Sequence, residues 1–430
     1  MTRAGTPPVP ARLGRWLAAG LIVALIGCGS RPTTAPTLTA GKAADPADEI
    51  ADTVRDELRK SADQQTARRL VDQLNNYLAR AAADRRPAPL SAAERSLLQS
   101  DFTLRPEEVA EVGRAEFTPV DSYYLDETLL FRDIARSLDV DQLPPVDRGR
   151  AAVAWVARNL RLTDPTGPAA PTGFAAIRGT GTSVERAYVL HALLRQLGLD
   201  AALVGDGGGP ETVWAVGVLA DGQVHLFDAR LGLPLPGPDG NGILTLTQAR
   251  SVADPFKPLA LDPKAPYDVT ADRAKKAELL VTAPLSALAP RMRFLQGLLP
   301  EGTARLTADP VGERDRFRKA VAGPDAPPVK LWCPPVVDAL PRLLFAFLPA
   351  AEGGGDAAPP GRRRLERYYA ERIPFDLLPP FLRDLHGEPR NQVQAAFIGR
   401  VTLLSQPGQA RDLILRGRFR EATDQLVAVQ

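Results

Sequence analysis

The stretch GTGTSVERAYVLHALLRQLGLDAALV, residues 179–204, contains a passage from helix to strand. Its pattern predicts a helix over 183–197 that Gly198 ends, because glycine is the usual residue just past a helix C-terminus. The segment 201–204 is short and rich in β-forming residues, which predicts a strand. The chain therefore runs from a helix into a sheet within a few residues.

Two further segments rich in β-forming residues, 212–219 and 224–228, follow in the sequence. Turn residues at 207–210 and at Asp221-Gly222 separate the three predicted strands. An Asp-Gly pair between two strands favours an antiparallel hairpin. We predict an α+β fold in which a helix packs on a small antiparallel sheet, flanked by mostly helical N- and C-terminal regions.

Residues 145–235 resemble the core of the transglutaminase-like family of cysteine peptidases and acyltransferases. Members of that family have a Gly-x-Cys turn that opens a helix, then a strand, a His-x-Trp block and a strand that ends in Asp. The matching residues here are Ala154-Trp155-Val156, Asn159, Ala187, Leu193-Leu194-Arg195, Leu197-Gly198-Leu199, Ala201, Trp214, Asp221-Gly222 and Asp228.

The resemblance implies a degenerate catalytic site. Ser183 occupies the position of the family's cysteine, Thr212 that of its histidine, and Asp228 that of its orienting acid. The chemistry needs a thiolate that an adjacent imidazole generates at a helix N-terminus. Threonine cannot accept a proton at neutral pH, so the resemblance implies an inactive domain. Its cleft, with Trp214 and Glu185 as candidate lining residues, could still bind a ligand.

Other residues are poorly placed to restore this site. His191 lies about 12 Å along the predicted helix from Ser183, at about 1.5 Å per residue. His225 and Asp228 point to opposite faces of their strand, and Cys333 lies outside the resembling region. We interpret both histidines and Cys333 as structural, Ser183 as a helix N-cap, and Asp228 as the residue that holds a strand-end turn.

The N-terminus reads as a lipoprotein signal. Three arginines within the first 15 residues precede the apolar run 16–26, which is too short to span a bilayer and has the length of a signal-peptide core. The sequence Leu25-Ile26-Gly27-Cys28 resembles the bacterial lipobox, which implies lipid on Cys28 and a stable membrane anchor. The alternatives are an ordinary signal peptide and an uncleaved anchor. By resemblance to proteobacterial lipoproteins, Gly29 and Ser30 after Cys28 imply the outer membrane, on its periplasmic side.

Changes in amino-acid composition divide the chain after the signal into segments. Residues 29–45 have almost no large apolar side chains, which is typical of a flexible tether. The predicted segments are a signal peptide (1–27), a tether (28–45), a helical region (46–140), the transglutaminase-like core (141–250), a mixed α/β extension (251–348), a linker (349–361) and a C-terminal helical region (362–430).

The overall composition excludes several classes of function. A net charge of +2 gives no reason to expect nucleic acid as a partner. If Cys28 carries lipid, Cys333 has no partner for an intramolecular disulfide. The three histidines, His191, His225 and His386, are too widely spaced for a zinc motif, so we expect neither a metal nor a cofactor.

These patterns predict a lipid-anchored protein of the cell envelope with an inactive transglutaminase-like domain that serves in binding or scaffolding. Its ligand would be a peptide or an envelope polymer. One alternative is an envelope peptidase, amidase or acyltransferase that uses Ser183. The other is a structural envelope protein whose helices mediate assembly. The sequence does not specify an oligomeric state.

Overall fold

The computed structural model describes residues 46–59, 64–164, 169, 171–207, 212–260, 264, 267–300, 302–333 and 408–429. The predicted signal peptide, Cys28, the tether, the linker 349–361, His386 and residues 362–407 lie outside the described residues. Among the helices that the structure describes, none is long and apolar enough to cross a membrane.

The N-terminal region is built from helices whose repeated apolar positions point inward. Val54, Leu58, Leu70 and Leu74 are each no more than 1% exposed, as expected for apolar residues spaced three or four apart on a helix. Both α1 and α2 belong to this packing, and α2 lies against the long helix α5. The helices are α1 (Pro46–Arg59), α2 (Gln64–Arg80), α3 (Ala92–Ser100), α4 (Pro106–Val112) and α5 (Pro119–Leu138).

A buried ion pair connects this region to the later part of the chain. The guanidinium of Arg291 donates to Asp121 at 2.6 Å, and their side chains are 2% and 0% exposed. Arg291 also donates to the carbonyl oxygen atoms of Glu111 and Val112, at 2.8 and 3.1 Å. The charge is therefore fully compensated, which a buried ion requires, and the start of α5 is held close to residue 291.

Six strands form one mixed sheet in the order β6-β5-β4-β3-β7-β8. The predicted Asp-Gly hairpin is present between β4 and β5, where Asp221 and Gly222 have φ values of +50° and +71°, as a type I′ turn requires. The strands of this sheet are β3 (Ala201–Gly205), β4 (Ala215–Ala220), β5 (Gln223–Asp228), β6 (Leu233–Pro234), β7 (Glu278–Thr282) and β8 (Val329–Trp332). A separate parallel pair consists of β1 (Arg161–Leu162) and β2 (Thr180–Gly181).

The α+β class is confirmed, but the sheet is larger than predicted and is not purely antiparallel. Strand β7 adds to β3 antiparallel, and β8 adds to β7 parallel. Both strands come from the segment that we predicted as a separate extension, so the sheet crosses the predicted boundary at residue 250. A parallel neighbour needs a long crossover, which here includes α11 (Leu285–Leu288), α12 (Pro290–Leu298) and α13 (Pro310–Ala320).

Helix α8 (Ser183–Gln196) is the central helix of the structure. It packs against α5, α6 (Pro145–Asn159) and α7 (Thr172–Arg178), and also against strands β3 and β4. Gly198, at φ +74°, ends the helix as predicted, and the amide of Leu199 donates to the carbonyl of Leu194 at 3.0 Å. Because α8 is enclosed by helices and sheet, each polar side chain on it needs a partner.

The remaining described helices lie around this core. Helices α9 (Leu246–Ser251) and α10 (Ala271–Lys275) pack on each other. Near the C-terminus, α14 (408–415) and α15 (Phe419–Val429) follow. Arg411 donates to the carbonyl of Asn159 at 2.6 Å. Arg416, 5% exposed, pairs with Asp126 of α5 at 2.8 Å. The described residues from Pro46 onwards thus belong to one compact unit.

Candidate functional site

The N-terminal end of α8 is closed by a capping box. Thr182, and not Ser183 as predicted, is the N-cap, and its hydroxyl accepts from the amide of Glu185 at 3.2 Å. The Glu185 carboxylate accepts from the amide of Thr182 at 2.8 Å and from Arg178 at 3.1 Å. The motif Thr-x-x-Glu at 182–185 is the sequence signal for this cap, whereas Ser183 has Arg186 at the corresponding position.

Ser183 is therefore the first residue of the helix. Its side chain is partly exposed, and no described residue forms a hydrogen bond with its hydroxyl group. Glu185, which we expected to line a cleft, is 1% exposed. Its carboxylate already serves the cap and Arg178, so it belongs to the structure of the helix end.

The carboxylate of Asp228 holds the turn after β5, in agreement with the interpretation from the sequence. It accepts from the amides of Arg230 and Leu231 at 2.6 and 2.9 Å, and from the hydroxyl of Tyr267 at 2.7 Å. Burial raises the pKa of Asp228, while these hydrogen bonds act in the opposite direction. Tyr267, which lies 39 residues away, escaped the sequence analysis because nothing local links it to Asp228.

The other two predicted positions have separate surroundings. The hydroxyl of Thr212 accepts from the amide of Asp206 at 3.4 Å, and its carbonyl accepts from Arg273 at 2.8 Å. Trp214 is 7% exposed and packs edge-on against Phe256, with ring centroids 6.0 Å apart. Among the described residues, no hydrogen bond joins Ser183, Thr212 and Asp228 to one another.

Of the two described histidines, His191 has hydrogen-bond partners, whereas Nδ1 of His225 is buried without one among the described residues. Nε2 of His191 lies 3.0 Å from the carbonyl oxygen of Ala201, and a carbonyl can only accept, so Nε2 carries the hydrogen. The hydroxyl of Thr282 lies 3.1 Å from Nε2 and 3.3 Å from Nδ1. Burial, followed by the charge of Arg195, lowers the pKa of His191 to about 4. Burial also lowers the pKa of His225 on β5.

The described part of the chain provides no other catalytic centre of the expected kinds. Cys333 is buried and is not disulfide-bonded. No group of three or more His, Cys, Asp or Glu side chains within the described residues could hold a metal ion. Among these residues, Ser183 therefore has no base beside it, and no metal cluster is present.

A pocket lies between α5, one face of α8 and the end of β7, and we call it the Tyr188 pocket. Its volume is about 50 Å³. Two of the residues that line it, Tyr188 and Arg195, each have a buried side-chain atom, Oη and Nη2, with no hydrogen-bond partner among the described residues. The wall consists of Tyr124, Glu127, Thr128, Phe131, Thr172, Tyr188, His191, Ala192, Arg195, Gln196, Thr282 and Pro284.

Sequence reasoning missed this pocket. Tyr188, His191, Ala192 and Arg195 follow each other at the three- and four-residue spacing of one helix face, which was the available signal. In the family-like motif, Arg195 is one of the matching residues and has no binding role. Whether a polar side chain on a buried helix finds a partner depends on other elements, here α5 and β7, and cannot be read from the helix alone.

Comparisons with protein-family models, with curated proteins and with solved structures give no match to this chain.

Proposed function

We propose that this protein is a lipid-anchored protein of the cell envelope whose α+β core is a degenerate transglutaminase-like domain that binds or scaffolds and does not catalyse acyl transfer. The observation that carries this proposal is the hydroxyl of Ser183, which stands at the head of α8 without a base among the described residues. Fold resemblance alone does not establish a function, so the chemistry of this position is the decisive point.

Acyl transfer by a serine requires a general base within about 2.6–3.2 Å of the hydroxyl. His191 hydrogen-bonds to Ala201 and Thr282, and His225 lies on β5. Thr212 has no group that accepts a proton at neutral pH. Loss of members of a catalytic triad costs on the order of 10⁴ to 10⁶ in turnover, and here two of three are replaced.

The carboxylates near this position support the same proposal. Asp228 accepts from two amides and the Tyr267 hydroxyl, and Glu185 accepts from Thr182 and Arg178. Neither carboxylate orients a base. Both stabilise the backbone, Asp228 at the position of the family's orienting acid and Glu185 at the helix end beside the position of its nucleophile, which favours a binding role over an enzymatic one.

Labelling with an acyl-fluorophosphonate probe tests the loss of catalysis. The full chain in detergent is treated with the probe alongside the variants Ser183→Ala and Ser100→Ala, since Ser100 is an exposed helix serine away from α8. We expect all three proteins to show the same background labelling. Strong labelling that disappears only in Ser183→Ala would establish Ser183 as a nucleophile and support the alternative of an envelope hydrolase or acyltransferase.

Metabolic labelling with a palmitate analogue tests the membrane anchor. The basis is the order of arginines, apolar run and lipobox that ends at Cys28. We expect the wild-type chain and Cys333→Ser to incorporate the label and Cys28→Ser to lose it. The matched cysteine at 333 separates lipidation from general thiol acylation. Equal labelling of Cys28→Ser and wild type would contradict the anchor.

A further inference from the structure

We propose that the Tyr188 pocket binds a carboxylate group, held by the hydroxyl of Tyr188 and the guanidinium of Arg195. This inference rests on the binding role proposed above and names the ligand chemistry for it. The carboxylate can belong to a small free acid or to the C-terminus of a peptide, because both present the same planar group with two accepting oxygen atoms.

The first support is the presence of two unsatisfied donors in one pocket. Tyr188 is only 4% exposed, yet its Oη has no hydrogen-bond partner in the described part of the chain. Nη2 of Arg195 is also buried without a hydrogen-bond partner in the described part of the chain. Native proteins pair nearly all buried polar groups. Other unpartnered buried atoms exist among the described residues, such as Trp214 Nε1 and His225 Nδ1, but Tyr188 and Arg195 both line this one pocket, so one acceptor that enters it could complete both.

The second support is the charge of the pocket. Arg195 forms no ion pair among the described residues, although most other buried or half-buried arginines here do, such as Arg291 and Arg416. The acidic residue of the wall, Glu127, accepts from the amide of Gly173 at 2.7 Å. His191 is neutral because burial lowers its pKa to about 4. Arg195 is thus the cation available to a ligand.

Protonation of the tyrosine also fits an anionic ligand. Burial raises the pKa of Tyr188 above its ordinary value, so its hydroxyl remains a neutral donor at physiological pH. A neutral hydroxyl and a guanidinium can donate to the two oxygen atoms of one carboxylate, and charge-assisted hydrogen bonds of this kind are the stronger ones.

The size of the pocket limits what can enter. Its volume is about 50 Å³, and a single water needs about 10–15 Å³ on the same measure. There is room for roughly three to five water-sized groups, which suits a carboxylate with its attached carbon but not a large side chain. Ala192, Arg195 and Gln196 are partly exposed, and this side of the wall gives access for an end group.

Calorimetric titration of the full chain in detergent tests the proposal. The probes are acetate, the dipeptide N-acetyl-Ala-Ala with a free C-terminus, and the same dipeptide as its C-terminal amide, all at constant ionic strength in chloride. We expect acetate or the free dipeptide to bind and the amide not to bind. Tighter binding of the dipeptide than of acetate would assign the site to a peptide end, and the reverse order to a small free acid.

Variants make the test specific. We expect Arg195→Gln to weaken binding by roughly tenfold to a hundredfold and Tyr188→Phe by roughly threefold to tenfold, since they remove a charged and a neutral hydrogen bond. Arg150→Gln, a change of an exposed arginine on α6, should bind as the wild type does. Thermal unfolding shows whether each variant is folded. If Arg195→Gln does not fold, Tyr188→Phe still tests the proposal.

Two results would overturn the assignment. One is the absence of binding by both acetate and the free dipeptide, which would mean that water alone completes the two donors. The other is unchanged affinity in folded Arg195→Gln or Tyr188→Phe. Either result leaves the labelling of Ser183 untouched, so failure of this inference is distinguishable from failure of the proposed loss of catalysis.

Discussion

The N-terminal turn of helix α8 and the face of α8 that lines the Tyr188 pocket differ in how their polar groups are used. At the N-terminal turn, the Thr182 hydroxyl and the Glu185 carboxylate satisfy each other's backbone amides. On the pocket face, Tyr188 and Arg195 each keep a buried donor without a partner in the described structure. The N-terminal turn occupies the positions where the family-like pattern would have its chemistry, yet its groups stabilise the fold. The unsatisfied groups, and not the motif positions, are therefore the basis of the proposed ligand site.

Glu185→Ala should have the largest effect on stability, because this carboxylate caps the N-terminal turn of α8. The side chain is 1% exposed, and its removal leaves the Thr182 amide and part of Arg178 unpaired. We expect a loss of about 2–4 kcal/mol in the free energy of unfolding, measured by urea denaturation.

Glu94→Ala is the matched control, since Glu94 forms the same capping box with Ser91 on the more exposed helix α3. We expect that change to cost about 0.5–1 kcal/mol. Equal losses in the two variants would show that burial of the N-terminal turn of α8 does not increase the contribution of its capping box to the free energy of unfolding.

Asp228→Ala should destabilise the protein by about 2–3 kcal/mol, since two turn amides and the Tyr267 hydroxyl lose their acceptor. Tyr267→Phe removes one of those three hydrogen bonds and should cost about 1 kcal/mol. Chemical denaturation of both variants separates the turn from the single side-chain bond. A loss below that of Tyr267→Phe would contradict a structural role for Asp228.

The part of this architecture that could be predicted depends on local signals. The Asp221-Gly222 hairpin and the Gly198 helix end were predicted correctly, because a left-handed turn and a helix stop are encoded in a few adjacent residues. The addition of β7 and β8 to the sheet was missed, since strand pairing across the long segments that separate them has no local signature.

In the candidate site, too, features encoded by adjacent residues could be predicted and those set by distant elements could not. The capping box at Thr182 was available in the sequence, but the resemblance drew attention to Ser183 one residue later. The partner of Asp228 and the lack of partners for Tyr188 and Arg195 depend on which distant elements surround each side chain. Satisfaction of a polar group is a property of the folded chain and not of a motif.

Glu313, which lies near the C-terminal end of α8, should make the stability of the protein depend on pH. Burial raises its pKa to about 7, with Asp200 adding to the rise, while the amide of Ala201, Arg195 and Arg316 oppose it. The folded state therefore holds a proton that the unfolded state has lost above about pH 4.5. The stability from this group is complete below that pH and is lost as the pH rises through about 7. His191, with a lowered pKa, acts in the opposite direction between about pH 4 and 6.5.

Glu313→Gln keeps an acceptor for the amide of Ala201 and removes the titration. Relative to the wild type, we expect this variant to gain about 1–3 kcal/mol in unfolding free energy between pH 5 and pH 8. Urea denaturation at the two pH values provides the measurement. A difference between variant and wild type that is the same at both values would mean that Glu313 is ionised throughout this range.

The smallest effect, and the sharpest test of the comparison, is expected from two tyrosines in the wall of the same pocket. The hydroxyl of Tyr124 donates to the carbonyl of Leu306 at 2.9 Å, whereas that of Tyr188 has no partner in the described structure. Without ligand, Tyr124→Phe should lower the free energy of unfolding by about 1 kcal/mol. Tyr188→Phe should lower it by about 0.5 kcal/mol or less, or raise it slightly. The reason is that Tyr188→Phe removes a buried donor whose desolvation had cost free energy. A loss for Tyr188→Phe that equals or exceeds that for Tyr124→Phe would mean that the hydroxyl of Tyr188 is already satisfied in the unliganded protein, and the pocket face of α8 would then be as structural as its N-terminal turn.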